Sequence, residues 1–123
     1  MTMTELPLTV RTRSAACCIG DVCAPITREP VTEAGAQDLA AVLKALADPV
    51  RLRLVSMIAA HEDGEACVCD LTEPLGLTQP TVSHHLKVLL DAGFVTRSKR
   101  GTWAYYALVL GSLDAVASTL RTV

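Results

Sequence analysis

Apolar positions recur with helical spacing over most of the chain from Ala36 onward. Leu39, Val42, Leu43 and Leu46 fall at i, i+3, i+4 and i+7, one stripe of a first helix. Asp48-Pro49 ends that stripe and predicts the start of a second helix, with Asp48 as N-cap and Pro49 at the first helical position. This helix is expected to reach about Ala60 and to bury Leu52, Val55 and Ala59 before His61-Glu62-Asp63-Gly64 closes it. Cys67 to Glu73 predicts a short third helix ended by Gly76, and Pro74, which lacks an N–H for Asp70, should keep it short or bent. Thr78 fits the N-cap of a fourth helix with Pro80 in its first turn, a buried stripe of Val82, Leu86, Leu89 and Leu90, and Gly93 at its end.

Strand formers take over at Phe94. Val95, Thr96, Trp103, Tyr105 and Tyr106 predict a hairpin, with Arg97-Ser98-Lys99-Arg100-Gly101 as its turn. Leu113, Val116, Ala117 and Leu120 predict a last amphipathic helix. Residues 1–35 have no such periodicity and hold three of the six prolines, Pro7, Pro25 and Pro30, so they are expected to form an arm ahead of a domain over 36–123. Two short helices joined by Leu75-Gly76-Leu77 and followed by a basic hairpin make a winged helix-turn-helix, a mainly α fold with a β-hairpin wing.

Composition narrows this reading without changing it. A chain of 123 residues suits one domain, and a core of Ala, Leu and Val with only Phe94, Trp103, Tyr105 and Tyr106 as aromatics packs most readily as helices. The net charge of −2 excludes nucleic-acid binding by bulk charge. Locally the balance reverses: from Gln79 to Tyr106, Lys87, Arg97, Lys99 and Arg100 stand against Asp91 alone. No run of 18 apolar residues predicts a membrane span, and no signal-peptide core precedes Cys17, so a cytoplasmic location is expected.

With Val82, Leu86 and Leu89 turned inward, the fourth helix would present Gln79, Pro80, Thr81, Ser83, His84 and Lys87. Gln can bond an adenine edge in two places, the others reach bases or phosphates, and the helix N-terminus itself favours phosphate. Arg97, Lys99 and Arg100 would follow the backbone from the wing. Each residue alone reads equally as a solvated face, or in the case of His84 and His85 as surface or core histidine. The order helix, turn, helix, basic hairpin favours double-stranded DNA.

Five cysteines in a reducing compartment read as metal or redox chemistry rather than as a disulfide framework. Cys67 and Cys69, two apart at a helix start, would place both sulfurs near one rim of the first turn, where the helix N-terminus favours thiolate. Cys67 also stands at an N-cap that Ser or Thr would fill better, with Asp70 placed to complete the cap. The plainer alternative is a pair of small buried hydrophobes.

Three segments in order, Ala45-Leu46-Ala47-Asp48-Pro49-Val50-Arg51-Leu52-Arg53, Cys67-Val68-Cys69-Asp70-Leu71 and Gln79-Pro80-Thr81-Val82-Ser83-His84-His85-Leu86-Lys87, resemble the ArsR/SmtB family of metal-responsive repressors over residues 36–121. The resemblance implies a homodimer joined through the first and last helices, a recognition helix at 79–91 and loss of DNA affinity when an inducer binds. It implies too that Cys67 and Cys69 carry thiolate ligands for arsenite or antimonite, or alternatively for cadmium or lead.

The chain departs from the family at Thr72, where some members hold a third arsenic-binding cysteine. Another sulfur must then come from Cys17, Cys18 or Cys23, as amino-terminal cysteines do in other members, in some cases across the dimer. Residues 108–123 offer only Asp114 of the Asp, His and Glu that a zinc site on the last helix uses, which argues against a zinc sensor of that type. The expected function is a metal(loid)-responsive repressor and not an enzyme. A thiol redox-sensing regulator, a small thiol reductase and a thiol-rich metal carrier stand as alternatives, the reductase lacking a Cys-x-x-Cys beside a strand–helix unit.

Overall fold

A computed structural model describes residues 18–122. In chain order it has α1 (Glu33–Leu46), α2 (Pro49–Ala60), a 3₁₀ turn (Glu62–Gly64), β1 (Glu65–Cys67), α3 (Val68–Leu75), α4 (Gln79–Asp91), β2 (Val95–Arg100), β3 (Trp103–Leu108) and α5 (Ser112–Leu120). Lys44–Leu110 forms one compact unit; the described residues up to Leu43 and from Gly111 onward form another.

The Lys44–Leu110 unit is built on side chains withdrawn from water: Leu54 and Ile58 of α2, Leu71 of α3, and Val82, Leu86 and Leu89 of α4 are all 0% exposed. Asp48 starts α2 as expected, its Oδ1 accepting from the N–H groups of Val50 at 2.8 Å and Arg51 at 3.2 Å. The buried stripe of α2 is not the one expected. Leu54, Val55 and Ile58 are buried, whereas Leu52 is 54% exposed and Ala59 lies outside. The stripe begins at Arg51, one position before Leu52, because the arginine turns its polar head to partners within the unit.

α4 occupies the expected span, with Leu90 only half-buried. Thr78 stands at its N-cap, but its hydroxyl pairs with that of Thr81 at 3.0 Å rather than with a backbone amide. Pro74 does not end α3 early. The helix runs to Leu75, and Gly76 caps it at φ +68°, its N–H shared between the carbonyls of Thr72 and Glu73.

The hairpin has the expected span but a shorter turn and longer strands, and the sheet has a third strand. The sheet order is β1-β3-β2, all antiparallel. Pairing continues to Arg100 opposite Trp103, so only Gly101 and Thr102 turn the chain, and Arg97, Lys99 and Arg100 lie on a strand instead of in a loop. A charged edge strand and a turn look alike in sequence, since both are exposed; every residue of β2 after Val95 is. Trp103, beside that turn, is 50% exposed. β1 has three residues, too few to show an alternation.

In the other unit, α5 buries Ala115, Val116 and Thr119. Of the expected stripe, Leu113 and Leu120 are 39% and 46% exposed and Ala117 is exposed too, since apolar residues occupy more than one side of this helix. Ile19 and Val22 are buried and exchange backbone hydrogen bonds of 2.8 Å across a tight turn at Gly20. The Ile26 N–H donates to the Thr119 carbonyl at 2.9 Å, and the Thr27 hydroxyl to that of Arg121 at 2.6 Å. No helix among the described residues is long and apolar enough to cross a membrane.

Candidate nucleic-acid interface and thiol pair

α4 divides cleanly between core and solvent. Opposite Val82, Leu86 and Leu89, it exposes Gln79, Pro80, Thr81, His84 and Lys87, while Ser83 is half-buried. Two residues behind this face hold the helix in place. Arg51 of α2 donates from Nε to the Ala45 carbonyl at 2.6 Å and from Nη2 to the Lys44 carbonyl at 3.2 Å, and its Nη1 lies 3.1 Å from His85 Nδ1. Guanidinium only donates, so His85 Nδ1 accepts. Sequence reasoning missed this pair; the signal was an arginine at the head of an otherwise apolar i, i+3, i+4, i+7 stripe.

The expected cations are not equivalent. Lys87 pairs with Asp91 one turn on at 3.2 Å, both well exposed, an interaction of small net value. Arg97 and Lys99 are exposed and make no ion pair among the described residues. Arg100 is held: its Nη2 donates to Glu65 Oε1 at 2.8 Å and its guanidinium lies 4.5 Å over the Tyr105 ring. The Glu65 hydrogen bond pushes the Arg100 pKa above its already high ordinary value.

Cys67 and Cys69 stand where the spacing placed them. Cys67 is the N-cap of α3 and is 3% exposed, Cys69 is exposed, and the Cys69 thiol donates to Cys67 Sγ at 2.8 Å. Asp70 forms its half of a capping box, accepting from the Cys67 N–H at 3.1 Å, and its Oδ2 lies 3.6 Å from His61 Nε2. The expected thiolate is disfavoured at Cys69. Its hydrogen bond to Cys67, then burial, then the charges of Cys67 and Asp70 push its pKa up, outweighing a backbone hydrogen bond that lowers it.

Two sulfurs this close suit a soft, thiophilic ion, one buried to fix the position and one exposed to receive it. Among the described residues no three His, Cys, Asp or Glu side chains converge on a metal-holding arrangement. Thr72, in place of a third cysteine, donates its hydroxyl back to the Cys69 carbonyl at 3.3 Å. In the other unit, Cys18 and Cys23 are disulfide-bonded, with Cα atoms 4.2 Å apart. That corrects the reading against disulfides, because the Ile19–Val22 turn brings two cysteines five positions apart back to back. Cys17 lies outside the described residues.

Residues 48–97 match the model for bacterial regulatory proteins of the arsR family. The arsenical resistance operon repressor of Staphylococcus xylosus is 39% identical over 87 residues, which cover 71% of this chain and 81% of that protein. The chain belongs to the arsR family. A second relative, the arsenical resistance operon repressor of Bacillus subtilis (strain 168), is 51% identical over 65 residues, 53% of this chain and only 60% of that protein's length. Among solved structures, the AntR antimony-specific transcriptional repressor superposes with a TM-score of 0.61 at 30% identity, covering 76% of this arsR-family chain and 79% of its own. The winged helix-turn-helix read from the sequence is thus the family's fold, with a three-stranded sheet where a hairpin was expected.

Proposed function

We propose that this arsR-family chain is a metal(loid)-responsive transcriptional repressor, not an enzyme, that works in the cytoplasm as a homodimer on double-stranded operator DNA. Gln79, Thr81, Ser83, His84 and Lys87 read or grip the DNA from α4, and Arg97 and Lys99 face the backbone from the wing, where Arg100 is a third cation held by Glu65. The exposed apolar side chains of α5, Leu113 and Leu120, support pairing through the first and last helices. The names of the relatives, arsenical resistance operon repressor and antimony-specific repressor, support arsenite or antimonite as the inducer; cadmium or lead is the alternative.

One observation carries the inducer site: the Cys67–Cys69 sulfur pair, 2.8 Å apart at the first turn of the helix preceding α4. A bound arsenite or antimonite would supply sulfur bonds that tie this turn to further thiolates, for which Cys17, Cys18 and Cys23 are the candidates. Cys69 must give up its proton to serve, and Cys18 and Cys23 must first be reduced. Tying the start of α3 acts on the reading head because only Gly76, Leu77 and Thr78 separate α3 from α4. Half-sites one helical turn apart hold two recognition helices about 34 Å apart, so a small tilt spoils both contacts together. Coupling of about 1–3 kcal/mol is usual and a near-complete switch needs about 5.5 kcal/mol, which two ions per dimer would share.

The Cys18–Cys23 disulfide favours a second reading, a regulator whose thiols answer to oxidation. Gel-shift titration of the reduced and oxidised protein on its own promoter separates the two. Release by arsenite or antimonite from the reduced protein supports the first reading, and release by oxidation alone supports the second. DNA binding indifferent to every ion and to oxidation removes both.

A further inference from the structure

Glu65 and Cys67 are the two ends of β1, and their side chains lie on the same face of the sheet. Cross-strand pairing places Cys67 opposite Tyr105 and Glu65 opposite Ala107 on β3. β2 continues this face, with Ser98 opposite Tyr105 and Arg100 opposite Trp103. Over it lies Arg100, its Nη2 hydrogen-bonded to Glu65 Oε1 at 2.8 Å and its guanidinium 4.5 Å above the Tyr105 ring. Arg97 and Lys99 alternate to the other face. The carboxylate therefore reaches across β3 to take hold of a cation on the opposite edge strand of the wing.

A guanidinium hydrogen-bonded to a carboxylate and stacked on a ring is less available to a phosphate, because the two anions compete for the same charge and the ring holds the side chain in place. The Arg100 side chain is nevertheless 53% exposed and that of Glu65 28%, so the pair sits where solvent and DNA compete for it. We propose that Glu65 is a positioning residue that withholds Arg100 from DNA, so that the strand carrying Cys67 also sets how strongly the wing grips the duplex. This rests on the repressor reading above. Glu65 acts as an internal rival of the phosphate backbone, and the wing works with fewer cations than its sequence carries.

The test is operator binding by the full-length reduced protein over a series of salt concentrations, for wild type, Glu65→Gln, Arg100→Gln, the double variant of these two, and Lys99→Gln. Glu65→Gln should tighten binding by about twofold to fivefold and steepen the salt dependence by about one phosphate contact, a slope change near 0.9. Arg100→Gln alone should change affinity and slope less than Lys99→Gln does. In the double variant the gain from Glu65→Gln should vanish, whereas the mere loss of an acidic charge near DNA would persist there. The proposal falls if Glu65→Gln leaves the slope unchanged, if its gain survives without Arg100, or if Arg100→Gln weakens binding as much as Lys99→Gln. Those three results leave the repressor reading standing; a wild-type protein that binds no duplex sinks both.

Discussion

Arg51 on α2 and His85 on α4 meet at 3.1 Å between Nη1 and Nδ1, and the same guanidinium takes the Ala45 and Lys44 carbonyls at the end of α1. One side chain thus fixes a helix end, its own helix and the back of the candidate recognition helix. Arg51→Ala should lower the urea-unfolding free energy by about 1–3 kcal/mol, because it strands partly buried acceptors. Arg51→Lys should recover little, since one ammonium cannot replace a fork that serves three acceptors. His85→Ala, which spares both carbonyl bonds, should cost less than Arg51→Ala.

Asp48 makes acid stability of α2 testable. The Arg51 backbone N–H, opposed by burial and assisted by the Val50 N–H, holds its carboxyl below the ordinary 3.8. A carboxyl depressed in the folded state adds stability above its unfolded pKa, and that stability is lost as pH falls through the folded value. Asp48→Ala should therefore melt a few degrees lower than wild type at pH 7. The gap should narrow below about pH 3.8 as wild type loses its cap, which thermal melts at both pH values would show.

The thiol pair allows a test free of metal and DNA. Cys69 is exposed yet its proton is held by Cys67, so its alkylation by iodoacetamide at pH 8 should be slower than that of an ordinary exposed thiol. Cys67→Ala removes the acceptor and should speed it. Cys67→Ser should stay within about 1 kcal/mol of wild-type stability, since serine is the better N-cap and offsets the burial of a hydroxyl. Both Cys67→Ser and Cys69→Ser should retain operator binding in gel shifts and lose release by arsenite.

A side chain at Gly76 should be penalised for a reason that lies in the backbone and not in crowding. It adopts φ +68°, and a Cβ there would meet nothing within 4 Å. Gly76→Ala should then cost about 1 kcal/mol through the left-handed conformation alone. A calorimetric Tm unchanged by the substitution would show that the turn between α3 and α4 can be made another way.

The parts legible in the sequence were those with their own local chemistry. The Asp48 cap, the Cys67 N-cap and the α4 stripe of Val82, Leu86 and Leu89 follow from spacing and side-chain type alone. β1 did not, because three residues hold no period and its strand character comes from pairing with β3. The observed α2 stripe lies one position before the expected one because Arg51, a charged residue, heads it, facing partners 34 and 6 residues away. Nor could charge counting separate Arg100 from Arg97 and Lys99, since what distinguishes them is a glutamate 35 residues earlier. The Cys18–Cys23 bond was hidden by counting cysteines for a compartment instead of asking what the turn between them permits.

Trp103, half exposed beside the Gly101-Thr102 turn and paired with Arg100, is the chain's single tryptophan. Its indole emission therefore comes entirely from the tip of the wing, with no other fluorophore of its kind to subtract. Any event that reaches the wing, from a duplex closing over it to a change in its neighbour's hold, is reported optically by the native protein without a dye.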